Sequence, residues 1–559
     1  MITIGPEQPN IIVIQADQLA AGALGAYGNT TVLTPRTDEL ARDGVVFDRA
    51  YCNSPLCAPS RASMLTGKLP STIGAYDNAA DFGTSVPTFA HHLRRAGYRT
   101  ALIGRMHLIG PDQLHGFDER LTSDVYPAGF DMVPDWSLPG EERLSWYHNA
   151  DSVLEAGISS ATVQRDFDDE VTFRTLRYLT DRARDPDRQP FGMVASFIHP
   201  HDPYEPSAEH WNRYADVDIP TPRIPRPPLE ELDPHSRRLL AMCDLDRQVP
   251  TEQQVIRARR AYYASVSYVD DQIGKIVDRL DELGLRDSTV IMITGDHGEM
   301  LGERGLWYKM SPFEDSVRVP LIMNAPGRLE PRRVPALVSL VDLLPTLVEI
   351  AGGAAPTDGD GQSVWPLACG VEQLGSSQVV IEYLAEGVSA PQLTLVRDQL
   401  KLVVCTTDPD QLYDLSTDPD ELVDLSRDPG WADVVAELRA ALLADRDLDH
   451  LRGLVLASQQ QRRFVVEALS RGAAADWDHR PSDDSGTRYV RGDFWSALSR
   501  GRLTPPGNGS GDAGTTRLAG RVVAVPAGLG LHAVVVPGPG GIVLPSTMRV
   551  PDHLGNTDR

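Results

Sequence analysis

Short apolar, β-branched runs alternate with amphipathic stretches through the first two thirds of the chain. Asn10 to Ala16 (Asn-Ile-Ile-Val-Ile-Gln-Ala), Thr100 to Gly104, Phe191 to Ile198 and Thr289 to Thr294 are such runs. Each reads as a strand buried on both faces. Val45-Val46-Phe47 is a further short strand. Helical spacing is expected over Pro35 to Asp43, Val86 to Ala96, Asp168 to Ala183 and Glu252 to Leu283. Strand-helix alternation predicts a large, mostly parallel sheet flanked by helices.

Polar, chemistry-bearing residues follow the strands directly. Asp17-Gln18 end the first, Arg105-Met106-His107 the second, His199-Pro200-His201-Asp202 the third and Gly295-Asp296-His297-Gly298 the fourth. In open α/β sheets ligands bind outside the carboxyl ends of the strands. Residues 111 to 160 are polar and irregular and read as a lid or substrate loop. Pro206 to Pro228 is a Pro-rich surface excursion. From about Gly370 the pattern shifts to strands separated by turns (Val379 to Ile381, Leu393 to Val396, Lys401 to Val404), predicting a smaller antiparallel sheet. Helices are expected from Trp431 to Ala444 and from Leu451 to Leu469, and a Gly/Pro/Ser-rich flexible tail after Pro505. The expected parts are therefore 1–370, 371–430, 431–505 and 506–559.

Composition narrows the class. The 559 residues suffice for several domains, and 41% hydrophobic with 23% charged residues is ordinary for a globular enzyme. A net charge of −25 disfavours nucleic acid and anionic membranes as partners. It leaves room for an anionic substrate in a locally basic pocket. No apolar run approaches a membrane span of roughly 20 residues. Residues 1 to 7 lack a basic segment followed by an apolar one, so no signal peptide is expected. Five scattered cysteines fit a reducing compartment, and a cytoplasmic location is expected.

Cys57-Ala58-Pro59-Ser60-Arg61 is the most distinctive stretch. The apolar run Ala62 to Leu65 reads as the first turns of a helix, which puts Cys57 near a helix N-terminus, where anions are favoured. Asp17, Gln18 and Asp296 are hard oxygen donors suited to Ca²⁺ or Mg²⁺, and His297 would also be accepted by Mn²⁺. Taken alone, Gly295-Asp296-His297-Gly298 reads equally well as a strand-end turn with a capping Asp.

Together these motifs resemble the sulfatase branch of the alkaline phosphatase superfamily over roughly residues 9 to 500. The Thr34-Pro35 segment, the Cys57 motif, Gly295 to Gly298 and Val317-Arg318-Val319-Pro320 stand in family order. The resemblance implies that Cys57 is oxidised to formylglycine by a maturation enzyme. It implies that Asp17, Gln18, the modified Cys57, Asp296 and His297 ligate one divalent metal: Ca²⁺, with Mn²⁺ or Mg²⁺ as alternatives. The hydrated aldehyde would attack sulfur with one metal-acidified hydroxyl, and the second would let sulfate leave by C–O cleavage. Arg61 would hold the metal-ligand carboxylates, His201 and Lys309 would contact the leaving group and sulfate, and His107 would be the base for the second step. The family usually has Lys where this chain has Arg105, a change of shape at constant charge. Glu299 and Glu303 read as ordinary loop charges.

Other segments resemble choline sulfatases in particular. They include Gly110 to Phe117, His199 to Tyr204, Glu382 to Gly387 and Leu456 to Arg463, the last with Trp477-Asp478 in a C-terminal extension. The implied substrate is choline-O-sulfate; a phosphonate or phosphate ester, or another sulfate ester, is the alternative. A quaternary ammonium calls for aromatic faces and carboxylates. Asn78, Met132, His148 and Glu386 are the candidates to bind it, with Trp136, Tyr147 and Asp493. Met132 stands where those enzymes often carry Trp. The helical extension suggests a homo-oligomer in which it reaches a neighbouring active site.

Overall fold

The computed structural model describes residues 8–472, apart from 145, 186, 188, 355 and 372–377, together with residue 498. Asp493, Trp477-Asp478 and the tail after 505 lie outside the described residues.

Among the described residues thirteen strands form two sheets. The larger has nine: β1 (Asn10–Asp17), β2 (Val45–Tyr51), β3 (Arg99–Gly104), β4 (Glu119–Arg120), β5 (Phe191–Pro200), β6 (Thr289–Gly295), β7 (Arg318–Val319), β8 (Leu321–Asn324) and β9 (Arg332–Ser339). Their order is β4-β3-β5-β1-β6-β8-β2-β7, with β9 also pairing β2. From β4 to β6 every pair is parallel. β8 runs antiparallel to both β6 and β2, so the sheet is mixed as well as mostly parallel. The second sheet is antiparallel: β10 (Gln378–Tyr383), β11 (Gln392–Arg397), β12 (Leu400–Cys405) and β13 (Asp408–Asp414).

The register explains why chemistry collects at one edge. Ile14 of β1 faces Ala195 of β5 on one side and Ile293 of β6 on the other. Ala16 accordingly pairs with Phe197 and Gly295, and a register shift after Ala16 brings Asp17 opposite Pro200. The residues that follow β3, β5, β1 and β6 emerge side by side. Between Cys57 and Thr66 runs a helix whose ten residues are all buried. It carries almost no amphipathic pattern because it is an internal element covered on every side.

Some boundaries move for local reasons. The helix expected from Val86 begins at Phe89, because Pro87 precedes a Thr88 cap that forms a reciprocal capping box with His91. The helix expected from Asp168 begins at Val163, capped by Thr162, which accepts from the Arg165 amide. Residues 111 to 160 carry short helical turns and a buried framework (Phe117, Val125 and Trp136), so much of this loop is core rather than lid. The expected C-terminal helices are Ala432–Leu442 and Leu448–Leu469. Among the described residues no helix is long and apolar enough to cross a membrane.

Candidate active site

Cys57 is the first residue of the buried helix, with its backbone fixed by Leu56 in an extended conformation. Its sulfur lies 3.1 Å from His297 Nε2 and 3.8 Å from Asp17 Oδ1. His297 Nε2 in turn lies 3.7 Å from Asp17 Oδ1 and 3.8 Å from Asp296 Oδ2. One ligand atom from each of Asp17, Cys57, Asp296 and His297 falls within 4.8 Å of the others, and all four residues are buried. His297 Nδ1 sits 3.0 Å from the Gly298 carbonyl, which can only accept. The ring proton is therefore on Nδ1, and the Nε2 lone pair points into the cluster. Two carboxylates, an imidazole nitrogen with a free lone pair and position 57 are a donor set that fits a divalent cation.

Gln18 completes this side. Its backbone N–H donates to Asp296 Oδ1 at 2.9 Å, and its side-chain N–H donates to Glu299. That orientation leaves Oε1 facing Lys309 Nζ at 2.7 Å. Gln18 holds φ at +63°, a left-handed backbone that turns its side chain back over the strand end.

Arg61 is fully buried and holds both carboxylates at once. Its Nε donates to Asp296 Oδ2 at 2.8 Å and a terminal nitrogen to Asp17 Oδ2 at 2.9 Å. The other terminal nitrogen meets Gln15 Oε1 and Ser196 Oγ at 3.1 and 2.9 Å and the Arg105 carbonyl at 2.6 Å. Arg105 also pairs with Asp17, lies 3.8 Å over the Tyr126 ring and donates to His107 Nδ1 at 3.2 Å. Burial alone would raise Asp17, but Arg105 and Arg61 outweigh it and hold the carboxyl below its ordinary range. Burial, followed by the Asp17 carboxylate, pushes the Cys57 thiol up to about 12.

Lys309 Nζ lies 2.7 Å from His201 Nε2, and His201 Nδ1 lies 2.6 Å from the Asp202 carbonyl. Burial and then Lys309 hold His201 well below the ordinary imidazole range. Burial opposes charge on Lys309, yet Cys57, Asp202 and Asp17 raise it above the ordinary ammonium value. Burial and then Arg105 push His107 down to about 3, so its ring is neutral. Because Arg105 can only donate, Nδ1 accepts and Nε2 carries the proton. That buried Nε2 has no hydrogen-bond partner among the described residues.

A second group of residues forms a wall beside position 57. Asn78 Oδ1 accepts the Ala58 N–H at 3.0 Å, and Asn78 also bonds the Tyr147 hydroxyl. Tyr147 packs on His148 with ring centres 4.2 Å apart, and His148 Nε2 lies 3.2 Å from Glu386 Oε1. Met132 joins Ala79 and Val133 in a small buried cluster against Tyr147.

The sulfatase family profile matches residues 9–354. The chain belongs to the sulfatase family. A profile for the C-terminal region of N-sulphoglucosamine sulphohydrolase matches 302–447, and one for the C terminus of choline sulfatase enzymes matches 454–495. The choline-sulfatase of Rhizobium meliloti (strain 1021) is 44% identical over 495 residues, covering 87% of this chain and 96% of that one. A protein solved with its substrate D-glucosamine-2-N,6-O-disulfate superposes with a TM-score of 0.63 at 23% identity, covering 79% and 99% of the two chains. The phosphonate monoester hydrolase of Agrobacterium radiobacter gives 0.61 at 23% identity, covering 80% and 96%. These two likenesses establish the fold.

In this sulfatase Asp17, Gln18, Cys57, Arg61, Arg105, His107, His201, Asp296, His297 and Lys309 fall in the first of the two neighbouring groups just described, and Asn78, Met132, Tyr147, His148 and Glu386 in the second. Trp136 does not face the site: it is buried in the main core, and its indole N–H donates to the Ala385 carbonyl at 2.8 Å. Glu299 and Glu303, read as loop charges, are both buried. Glu303 pairs with Arg259 at 3.3 Å. Glu299 accepts from Gln18, from the Tyr204 hydroxyl at 2.9 Å and from the Leu301 and Tyr308 amides at 2.7 and 2.8 Å. Burial pushes it up to about 7. Its position three residues after Asp296 was the available signal; its side-chain partners Gln18 and Tyr204 lie too far off in sequence to be read.

Proposed function

We propose that this sulfatase hydrolyses choline-O-sulfate to choline and sulfate, with position 57 as the reacting residue after conversion of Cys57 to formylglycine. The observation that carries the reading is the apposition of two groups at position 57. On one side stand Asp17, Asp296 and His297, and on the other Asn78, Tyr147, His148 and Glu386. Position 57 heads the buried helix beside His297 and Asp17, where a residue converted to formylglycine would face the metal ligands.

Asp17, Gln18, Asp296, His297 and position 57 would hold one divalent metal; Ca²⁺ suits the oxygen-rich set, and Mn²⁺ or Mg²⁺ are the alternatives. When bound, metal and formylglycine together supply an acidified hydroxyl for attack on sulfur and a second hydroxyl that permits release of sulfate. The chain's own groups do the rest. Arg61 fixes the two carboxylates relative to each other, and Arg105 and Lys309 neutralise charge on the sulfuryl oxygens. Lys309, protonated and bonded to neutral His201, donates a proton toward the leaving alkoxide. His107 presents an N–H at Nε2; to act as the base for sulfate release it must carry its proton on Nδ1 instead, which requires the Arg105 contact to open. Glu386 and the Tyr147 and His148 rings suit a trimethylammonium head.

The parts at 1–370, 371–430, 431–505 and 506–559 are taken as catalytic, accessory sheet, arm and tail. A formylglycine-generating enzyme, self-association and a cytoplasmic setting complete the proposal.

Turnover of choline-O-sulfate, 4-nitrophenyl sulfate and an aryl phosphonate side by side tests it, together with mass spectrometry of the Cys57 peptide. A clear preference for choline-O-sulfate and a formylglycine mass are expected. Equal rates on both sulfates would overturn the substrate and leave the reaction class. An unmodified thiol in active protein would overturn the role of position 57.

A further inference from the structure

Besides its apolar contacts, the helix Leu448–Leu469 sends two buried polar side chains inward, and each reaches a residue adjoining the wall beside position 57. Arg462 donates to both oxygens of Asp77, at 2.6 and 2.8 Å. Asp77 is fully buried and Arg462 nearly so. Asp77 Oδ1 also accepts the Ala79 N–H at 3.0 Å, closing a turn around Asn78. Three residues earlier on the same buried face, Gln459 Oε1 accepts the Trp136 backbone N–H at 3.0 Å. The Trp136 indole then ties to the Ala385 carbonyl, one residue before Glu386. Spacing of three residues puts both side chains on one helical face.

One helix thus fixes both ends of the wall: Asn78 through Asp77, and Glu386 through Trp136 and Ala385. The Asp17, Asp296 and His297 side receives no hydrogen bond from this helix among the described residues. A buried bidentate Arg–carboxylate pair has strong geometric preference, and its rupture leaves an uncompensated charge. A well-packed apolar contact could have docked the helix without that constraint.

We propose that Arg462 and Gln459 are positioning residues for the leaving-group pocket, so that the C-terminal helix sets which alcohol this sulfatase accepts. The inference rests on the reading of that wall as the leaving-group side. It does not require the alcohol to be choline.

The test measures Arg462→Gln, Arg462→Lys, Gln459→Leu and Gln459→Glu in the full-length, formylglycine-containing enzyme. Substrates are choline-O-sulfate, a neutral alkyl sulfate and 4-nitrophenyl sulfate, with inorganic sulfate as a competitive inhibitor and melting temperature recorded. Gln459→Glu keeps an acceptor for the Trp136 amide. Expected for Arg462→Gln and Gln459→Leu is a tenfold or larger rise in KM for the ester preferred by the wild type, with a smaller change in kcat. The inhibition constant of sulfate should stay within about threefold. Gln459→Glu should recover most of the loss, and Arg462→Lys part of it. An equal fall on all three esters with weakened sulfate inhibition would show a general structural role and overturn the proposal. So would variants that keep the wild-type order and KM values. If Arg462→Gln fails to fold, the Gln459 pair decides alone. Wild type without preference for choline-O-sulfate would end the choline reading, while the variants still report on positioning through whichever ester is preferred.

Discussion

Lys309 donates to His201 across 2.7 Å, and both side chains are buried. The direction is fixed because His201 Nδ1 already donates to the Asp202 carbonyl, leaving Nε2 as an acceptor. Asp202 and Asp17 among its neighbours favour the ammonium form of Lys309, and burial keeps His201 neutral, the arrangement the proposed general acid requires. Lys309→Ala is expected to lower kcat/KM for choline-O-sulfate by about 10²–10⁴, the usual range for a lost general acid. The loss on 4-nitrophenyl sulfate should be much smaller, because nitrophenolate leaves without protonation. Comparing the two ratios checks the assignment; equal losses would make Lys309 a sulfate contact only.

His107 gives a stability signature in acid. Its folded pKa of about 3 lies below the unfolded value of 6.5, so between those values the unfolded chain binds more protons. Stability contributed by the neutral ring is complete above pH 6.5 and is lost as pH falls toward 3. The full difference corresponds to roughly 4–5 kcal/mol. His107→Asn keeps an acceptor for Arg105 without the titration. Its unfolding free energy should therefore fall less steeply from pH 6.5 to 4 than that of the wild type, as measured by urea denaturation across that range.

Metal retention should appear as stability as well as turnover. Asp17 and Asp296 are held together by Arg61 even without an ion, so the apoprotein should fold. Chelation should nevertheless lower the melting temperature and abolish activity, and added Ca²⁺ should restore both. An ion at a hundredfold over its Kd contributes about 3 kcal/mol. Asp296→Ala should show no thermal response to chelator or Ca²⁺, and a full response in that variant would move the ion elsewhere.

The strand ends were legible because Asp17, His107, His201 and Asp296 closely follow apolar runs, and a parallel sheet aligns those ends. Their positions needed only that rule, while the roles expected of them, of Cys57 and of Lys309 came from the family pattern. What escaped was set by distant partners. β8 and β9 are short or interrupted by polar residues, and β13 (Asp-Pro-Asp-Gln-Leu-Tyr-Asp) carries no strand-like pattern at all. Glu299 looked like a loop charge because the side chains that bury it, Gln18 and Tyr204, come from distant parts of the chain. Trp136 looked like a ligand face because an aromatic side chain in a polar loop does not announce which way it points.

Met132 lies 8% exposed between Ala79 and Tyr147, where a thioether offers methyl contact but no π face. Met132→Trp should add a cation–π contribution of about 0.5–2 kcal/mol for a quaternary ammonium. The KM for choline-O-sulfate should then fall about 2- to 30-fold while that for 4-nitrophenyl sulfate stays level. An equal shift in both would mean that position 132 does not face the alcohol.

Arg105 performs three tasks that a compact ammonium cannot combine. Its fork reaches Asp17 and His107 Nδ1 while its plane covers the Tyr126 ring. Arg105→Lys should keep the charge beside Asp17 but lose the ring contact and release His107 Nδ1. Release has two opposing consequences. Sulfate loses a well-placed guanidinium, which should raise the inhibition constant of inorganic sulfate. His107 gains freedom to hold its proton on Nδ1, the form the base role requires, which should favour the step that expels sulfate. The net expectation is a loss of about tenfold in kcat/KM, which reports on binding and attack, with kcat changed less. Arg105→Ala, lacking the charge, should lose at least a hundredfold in both. NMR of the His107 ring in the two variants provides the independent check: an Nδ1–H tautomer in Arg105→Lys and an Nε2–H tautomer in the wild type. If the wild-type ring already carries its proton on Nδ1, Arg105 does not control the tautomer, and the kinetic split between the two variants should disappear.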